Sequence, residues 1–267
     1  MSIDHDGLLS RIRAAYQRMP FNRQVIATTG YPSSTWTANM IIGVAPTTSV
    51  VPTSTTLGAL GQQNSSSVQR LVGTGLVAPN GYMHWIDRLA HSGGLDGTVT
   101  GEQTTNMGSW PALTRETSGV DVFAAIEIYG VIGTTGTTGS LRYTNSAGTT
   151  GRNSPLFTIG GTAYREVGRL IIVPLVIGDL GIKSVQGFTL SASTTTAGNF
   201  GVTLFKFISP VVNNSSGVTV DAGIVNPVLN MGFPPTQVVD NACLAQLWQP
   251  SVNTAQLIGG VANFGED

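Results

Sequence analysis

The sequence has little charge, one cysteine and no long apolar run. Charged residues make up 10% of its 267 residues, against about 25% in an average soluble domain. With 13 basic and 14 acidic residues the net charge is -1, so we do not expect the broad cationic face of a duplex-DNA binder. The lone Cys243 excludes an intrachain disulfide and a multi-cysteine metal cluster. No apolar stretch reaches the roughly 18 residues of a membrane-spanning helix.

The first residues carry no sign of export. Residues 1–6 lack the basic start and the apolar stretch of a signal peptide. We therefore expect no signal peptide at this position. A membrane is also not expected among the partners.

Alternating apolar residues predict strands in the central part of the chain. Over residues 119–129 the side chains alternate with period two, which places Glu127 on the outer face as an ordinary surface acid. Further strands are predicted at 141–144, 169–177, 184–193 and 201–209. Pro174 marks its segment as an edge strand or a bulge. Few helix patterns interrupt these strands, so we predict an all-β fold, an antiparallel β-sandwich or jelly roll.

The N-terminal part has a different texture. Residues 5–19 carry apolar side chains at helical spacing, and Pro20 would end that helix. Thr, Ser, Pro and Gly punctuate residues 28–67, which predicts an extended arm with short strands, one of them at 36–44.

The C-terminal part returns to Asn, Gly and Pro punctuation, with a short apolar stretch at 242–248. We predict that it wraps over other surfaces and holds at most one short helix. The chain is therefore divided into an N-terminal helix and extended arm (1–67), a β-sandwich core (68–210) and a C-terminal wrapping region (211–267).

Extended arms bury little surface within themselves, so they must gain their order from a neighbour. The residues expected at such a subunit contact are Leu8, Leu9, Arg11, Ile12, Arg13, Tyr16, Arg18 and Trp36. The arginines fit either a solvated helix face or a cationic arm that docks on a neighbouring subunit or on phosphate. Closed symmetry is usual for self-complementary surfaces, so we predict a homo-oligomer, with a trimer as the first candidate.

The histidines make a poor metal or catalytic site. His84 and His91 lie on either side of Asp87, but catalytic zinc needs three protein ligands and no third is visible. We predict that both histidines are surface or hydrogen-bonded groups in a loop. No G-x-S-x-G elbow supports a Ser-His-Asp triad. A hydrolase that uses His84 or His91 with a nearby acid stays as the enzymatic alternative.

The other candidates for chemistry are equally weak. Glu102, Glu116 and Glu127 stand in no setting that argues for a raised pKa, as paired carboxylates of a glycosidase would need. Residues 133–139 are rich in glycine but lack lysine and precede no helix, which predicts a flexible hairpin loop. Cys243 lies in an apolar stretch, so a buried inert thiol is expected. We therefore predict no enzymatic activity, no metal and no cofactor.

Three stretches carry a resemblance to a known class of proteins. They are residues 87–100, residues 184–202 and, most distinctive, the run Y-T-N-S-A-G-T-T-G-R at residues 143–152. This pattern resembles structural proteins encoded in the virion modules of tailed bacteriophages and prophages. The similarity covers most of the chain after residue 20.

The resemblance implies a virion component, a capsid or head-decoration (cement) protein that is assembled in the cytoplasm of the host bacterium. Its partners would be other virion proteins such as the major capsid protein, and nucleic acid is not expected among them. The alternative is a receptor- or glycan-binding module of a tail appendage, with ligand loops at 130–140 and 194–200.

Overall fold

A computed structural model describes residues 17–25, 34–36, 45–56, 59, 69–77, 81–104, 113–213, 223–225, 237–250 and 256–266. Over these residues the chain is all-β with antiparallel pairing, as predicted. The strands are β1 (Gln17–Val25), β2 (Ser34–Trp36), β3 (Gln69–Val77), β4 (Gly81–His91), β5 (Val122–Gly130), β6 (Thr137–Asn145), β7 (Arg152–Asn153), β8 (Phe157–Ile159), β9 (Arg169–Ile172), β10 (Ile182–Leu190), β11 (Asn199–Asn213), β12 (Gly223–Val225), β13 (Gln237–Val238), β14 (Leu244–Pro250) and β15 (Gln256–Glu266). Within the same residues, no helix is long and apolar enough to cross a membrane.

Six strands form a sheet that closes on itself, in the order β11-β4-β14-β2-β9-β5. One face of each strand points to the inside of the ring. Side chains from five of the six strands form an apolar cluster there. Its buried members are Ile86, Ala125, Leu170, Phe205, Ala245 and Leu247. The closed sheet takes strands from all three predicted segments of the chain, and the three-part division itself stays a prediction.

A second sheet, β10-β6-β7 with β8 beside β6, faces the closed sheet. The main core lies between the two, because a single buried cluster joins Val122, Ala124, Ile126 and Ile128 of β5 to residues of β6, β8 and β10. The period-two pattern at 119–129 correctly predicted this face. The arrangement is sandwich-like, whereas the jelly-roll topology stays a prediction.

A third sheet, β1-β15-β3-β12 with β13 on β3, pairs residues from near both ends of the chain. Residues 17–19, the last three of the predicted helix, belong to β1, and Pro20 lies opposite Val261. The predicted helix therefore does not extend to Met19. The rest of it lies outside the described residues.

Residues 244–250 form a strand of the closed sheet, within the region that was predicted to hold at most one short helix. Two sequence-based expectations are wrong in detail. β9 ends at Ile172, before Pro174, and lies between β2 and β5, so it is no edge strand of that sheet. The glycine-rich loop before β6 leads from one sheet to another, because β5 and β6 do not pair, so it is no hairpin. Of the strand predicted at 36–44, only Trp36 falls within the described residues.

Candidate functional site

A buried cluster of polar side chains lies on the inner face of the closed sheet. The Arg88 guanidinium of β4 donates a hydrogen bond to Glu127 Oε2 of β5, and the two side chains are 2% and 1% exposed. Tyr129 donates to the same oxygen at 2.9 Å, and Thr203 of β11 donates to it at 2.5 Å. The prediction of Glu127 as a surface acid is therefore wrong. The alternation correctly predicted that the Glu127 side chain points away from the main core. The face of β5 that carries Glu127 is also buried, because the sheet closes on itself.

His91 joins this cluster as a neutral group. Its Nδ1 lies 3.0 Å from Arg88 Nη2 and 3.1 Å from the Tyr129 hydroxyl. A guanidinium only donates, so Nδ1 accepts and the ring proton sits on Nε2. Burial, and then the charge of Arg88, lower the pKa of His91 to about 3. Such a histidine is a weak general base near neutral pH.

The two histidines do not form a pair. Both lie on β4, and seven residues of strand separate their backbones by about 23 Å at roughly 3.3 Å per residue. His84 packs edge-on against Phe207, with ring centroids 5.1 Å apart, and burial lowers its pKa. The prediction of a hydrogen-bonded histidine holds for His91, although its setting is a strand where a loop was expected. The described residues contain no group of three His, Cys, Asp or Glu side chains that could hold a metal ion.

Asp87 serves a different contact on β4. Its carboxylate accepts two hydrogen bonds from the Arg115 guanidinium, at 2.9 and 3.0 Å, and one from the Cys243 backbone N–H at 2.8 Å. Cys243 is buried, as expected, and burial raises the pKa of its thiol to about 11. These groups tie β4 to its neighbours and leave the thiol unreactive near neutral pH.

The motif at 143–152 has an architectural use in the structure. Asp179 accepts hydrogen bonds from the Tyr143 hydroxyl at 2.5 Å, from Asn145 Nδ2 at 2.7 Å and from the Arg152 guanidinium at 3.1 Å for each of two nitrogens. Burial alone would raise the pKa of Asp179, but these hydrogen bonds together outweigh it and lower the pKa. We call these four side chains the Asp179 cluster. No local sequence signal marks Asp179, which lies 27 residues beyond Arg152.

The Asp179 cluster holds the loop of residues 173–181 in one conformation. The backbone N–H of Val176 donates to the Tyr143 hydroxyl at 3.0 Å, and that of Asp179 closes a turn onto Val176 at 3.0 Å. Leu175 and Val176 pack against the main core. On the outer side, Ile177 is 99% exposed and Leu180 is 69% exposed. The most distinctive motif of the sequence therefore fixes a loop that presents apolar side chains to solvent.

We predict that Asp179→Asn loosens this loop without unfolding the sheets. The amide retains one acceptor oxygen but loses the charge that both nitrogens of Arg152 contact, and charge-assisted hydrogen bonds are about twice as strong as neutral ones. Limited proteolysis is expected to cut within 173–181 several-fold faster than in the unchanged chain, with the same circular dichroism spectrum. Equal cleavage rates in the variant and the unchanged chain would show that Asp179 does not hold the loop.

The residues predicted at a subunit contact fall mostly outside the described part of the chain. This holds for Leu8, Leu9, Arg11, Ile12, Arg13 and Tyr16. The backbone of Arg18 lies in β1 opposite Asn263, and that of Trp36 lies in β2 opposite Leu247. Their part in a subunit contact stays a prediction.

The two loops named for the ligand-binding alternative lie side by side. Thr194 is fully buried, and its hydroxyl accepts a hydrogen bond from the Gly133 N–H at 3.1 Å. It also donates to the Gly97 carbonyl at 2.9 Å. Residues 134–136 and 195–198 are exposed around this contact. The two loops thus form a small exposed surface rich in threonine and glycine.

Comparisons with known proteins show no family. No family model matches the chain, and no curated protein matches it. The structure of infectious bursal disease virus, Gt strain, aligns at 12% identity over 92% of this chain and 42% of that chain, with a TM-score of 0.11. The VP2 subviral particle of the same virus gives 13% identity over 93% and 42%, also with a TM-score of 0.11. This chain therefore spans less than half of those chains, and a TM-score of 0.11 shows no shared fold.

Proposed function

We propose that this chain is a non-enzymatic structural component of a bacteriophage virion, a capsid or head-decoration (cement) protein that acts through contacts between subunits. One observation carries the proposal. The motif at 143–152 carries the resemblance to virion proteins. Its polar side chains donate hydrogen bonds to Asp179 and so fix the loop of residues 173–181, which exposes apolar side chains. That use fits a protein that works through its surface.

The use of charge supports the same proposal. The ion pairs among the described residues include Arg88–Glu127, Arg115–Asp87, Arg142–Glu102, Arg152–Asp179, Arg165–Glu166 and Lys206–Glu116. Glu102, Glu116 and Glu127, the sequence-based candidates for carboxylate chemistry, each pair with a cation in this way. The acids thus support the structure, which is the reason that we propose no catalysis, metal or cofactor.

The proposal includes the form of the assembly. We infer a sandwich-type core with a helix and extended arm in residues 1–67, and contacts from residues 211–267. The chain would form a homo-oligomer, with a trimer as the first candidate, and would contact other virion proteins such as the major capsid protein. Its place is the virion, and neither a membrane nor nucleic acid is among the proposed partners.

The test joins mass spectrometry of purified phage particles with light scattering of the purified chain. The proposal predicts peptides of this chain in particles that survive density-gradient purification, and an oligomeric mass in solution. A monodisperse monomer that is absent from the particles would overturn it.

The second candidate function is a receptor- or glycan-binding module of a tail appendage. The observation in its favour is the contact of loops 130–140 and 194–200 around Thr194. A glycan array separates the two functions. Binding to a defined glycan that is lost in a Thr134→Ala/Thr196→Ala variant favours the second function, and an array without signal counts against it.

A further inference from the structure

The apolar residues of the 173–181 loop belong to a larger exposed group. Ile177 lies in the turn that the Asp179 N–H closes onto Val176, and Leu180 follows that turn directly. The Asp121 N–H donates to the Leu180 carbonyl at 2.9 Å, so the exposed Val120 precedes a residue that contacts the end of the loop. Exposed apolar residues scattered singly are normal on proteins, whereas large contiguous apolar patches mark sites of interaction. We call Val120, Ile177 and Leu180 the apolar patch.

The loop that carries Ile177 and Leu180 of the apolar patch is fixed by its contacts with the rest of the chain. Leu175 and Val176 pack on the core side of the loop, whereas the Ile177 side chain is exposed on the outer side. The Asp179 cluster fixes the turn, and the Ser146 N–H holds its end through a 2.9 Å hydrogen bond to the Gly181 carbonyl. A surface that is already ordered loses little conformational entropy when it binds.

Two exposed charges of opposite sign lie beside the patch. Asp121 follows Val120 directly, and Lys183 lies three residues beyond Leu180, with its side-chain stem close to Gly119. Neither residue takes part in an ion pair among the described residues. Such a surface matches a second copy of itself when a two-fold axis is placed so that the acid of each copy faces the base of the other.

We propose that the apolar patch binds the same patch on a second copy of this chain, with Asp121 of each copy facing Lys183 of the other. The near-zero net charge favours this occupant, because identical copies then repel each other little. The contact rests on the proposed structural function and assigns a surface to it. It joins two copies and leaves the total number of copies in the assembly open.

The test is sedimentation velocity of the full chain over a range of concentrations. Ile177→Ser/Leu180→Ser is expected to weaken self-association at least about tenfold in the dissociation constant. Because both side chains point to solvent, the circular dichroism spectrum is expected to stay the same. The matched control is Val99→Ser/Val131→Ser, which changes two exposed valines elsewhere and is expected to associate like the unchanged chain.

Charge variants test the two-fold arrangement itself. Lys183→Glu places two acids together in each half of the contact and is expected to weaken association, less so at high salt. Adding Asp121→Asn relieves that repulsion and is expected to restore part of the affinity. Asparagine suits this position because residue 121 has a φ of 58°.

Several outcomes overturn the inference. An unchanged chain that stays monomeric, or one whose self-association is the same in the Ile177→Ser/Leu180→Ser variant, contradicts it. Binding of a monomeric chain to phage particles through this loop would assign the patch to another virion protein. A monomeric chain would also contradict the proposed homo-oligomer, but each of these outcomes leaves a structural role in the virion standing as long as the chain is found in particles. Absence of the chain from particles overturns that role whatever the patch does.

Discussion

Replacing Arg88 with methionine is expected to lower the free energy of unfolding by about 3–5 kcal/mol, the usual cost of removing one partner of a buried ion pair. The substitution leaves the Glu127 carboxylate buried, with hydrogen bonds from Tyr129 and Thr203 alone. Methionine fills much of the same volume, so the loss measures charge and hydrogen bonding more than packing. Urea unfolding followed by circular dichroism gives the value, with an unchanged m-value as the sign that both states keep their compactness.

Two further variants make this result specific. Arg88→Met/Glu127→Gln removes the stranded charge and is expected to regain part of the lost stability. Arg165→Met is the matched control, because Arg165 pairs with Glu166 while both side chains are about a quarter exposed, and such pairs contribute little. If Arg88→Met proved no more destabilising than Arg165→Met, the buried cluster would have no structural importance.

Acid is expected to destabilise the fold through His91. Its pKa is about 3 in the folded state, below the ordinary value of 6.5, so the unfolded chain binds the proton more tightly. The stabilisation that this gives is complete above pH 6.5 and is lost as the pH falls from 6.5 towards 3. The slope is about 1.4 kcal/mol per pH unit, or roughly 2–3 kcal/mol between pH 6.5 and 4.5.

His91→Gln isolates this effect. The glutamine amide oxygen can accept the hydrogen bond from Arg88 but does not titrate in this range. The difference in unfolding free energy between variant and unchanged chain is therefore expected to shift by roughly 2–3 kcal/mol in favour of the variant between pH 6.5 and 4.5. An NMR titration that placed the pKa of His91 near 6.5, or parallel pH profiles for the two chains, would contradict the account.

The sequence revealed one face of β5 but not what covers the other. Period-two alternation correctly separated Ile126 and Ile128 from Glu127. It carried no information on the closure of the sheet, which depends on pairing between β4 and β14, about 160 residues apart. Glu127 was therefore placed on the surface, although it lies on the inner face of a closed ring.

A bulge explains why the sequence pattern did not predict strand β4. Leu204 lies opposite Ala90, and Phe205 lies opposite Arg88, so Leu89 is an extra residue in the strand. Leu89 and Ala90 both join the main core, and this breaks the alternation that marks a strand. Without that alternation, the sequence around His84 and His91 did not predict a strand, and a loop was expected there.

The turn in the motif at 143–152 could be predicted from the sequence, but the contacts of the motif could not. Its turn was predicted correctly, because Asn145 and Gly148 favour such a bend, and Gly148 has a φ of 88°. Its partner Asp179 and the apolar loop that it holds come from a later segment. A contact across 27 or more residues leaves no local pattern, so the candidate contact surface emerged only from the fold.

A density map of intact phage particles would show whether this chain acts through subunit contacts within a virion. We expect density that fits the sandwich-like core, with the 173–181 loop of one copy against the same loop of another. Particles whose protein shell is fully assigned to other chains are incompatible with this function.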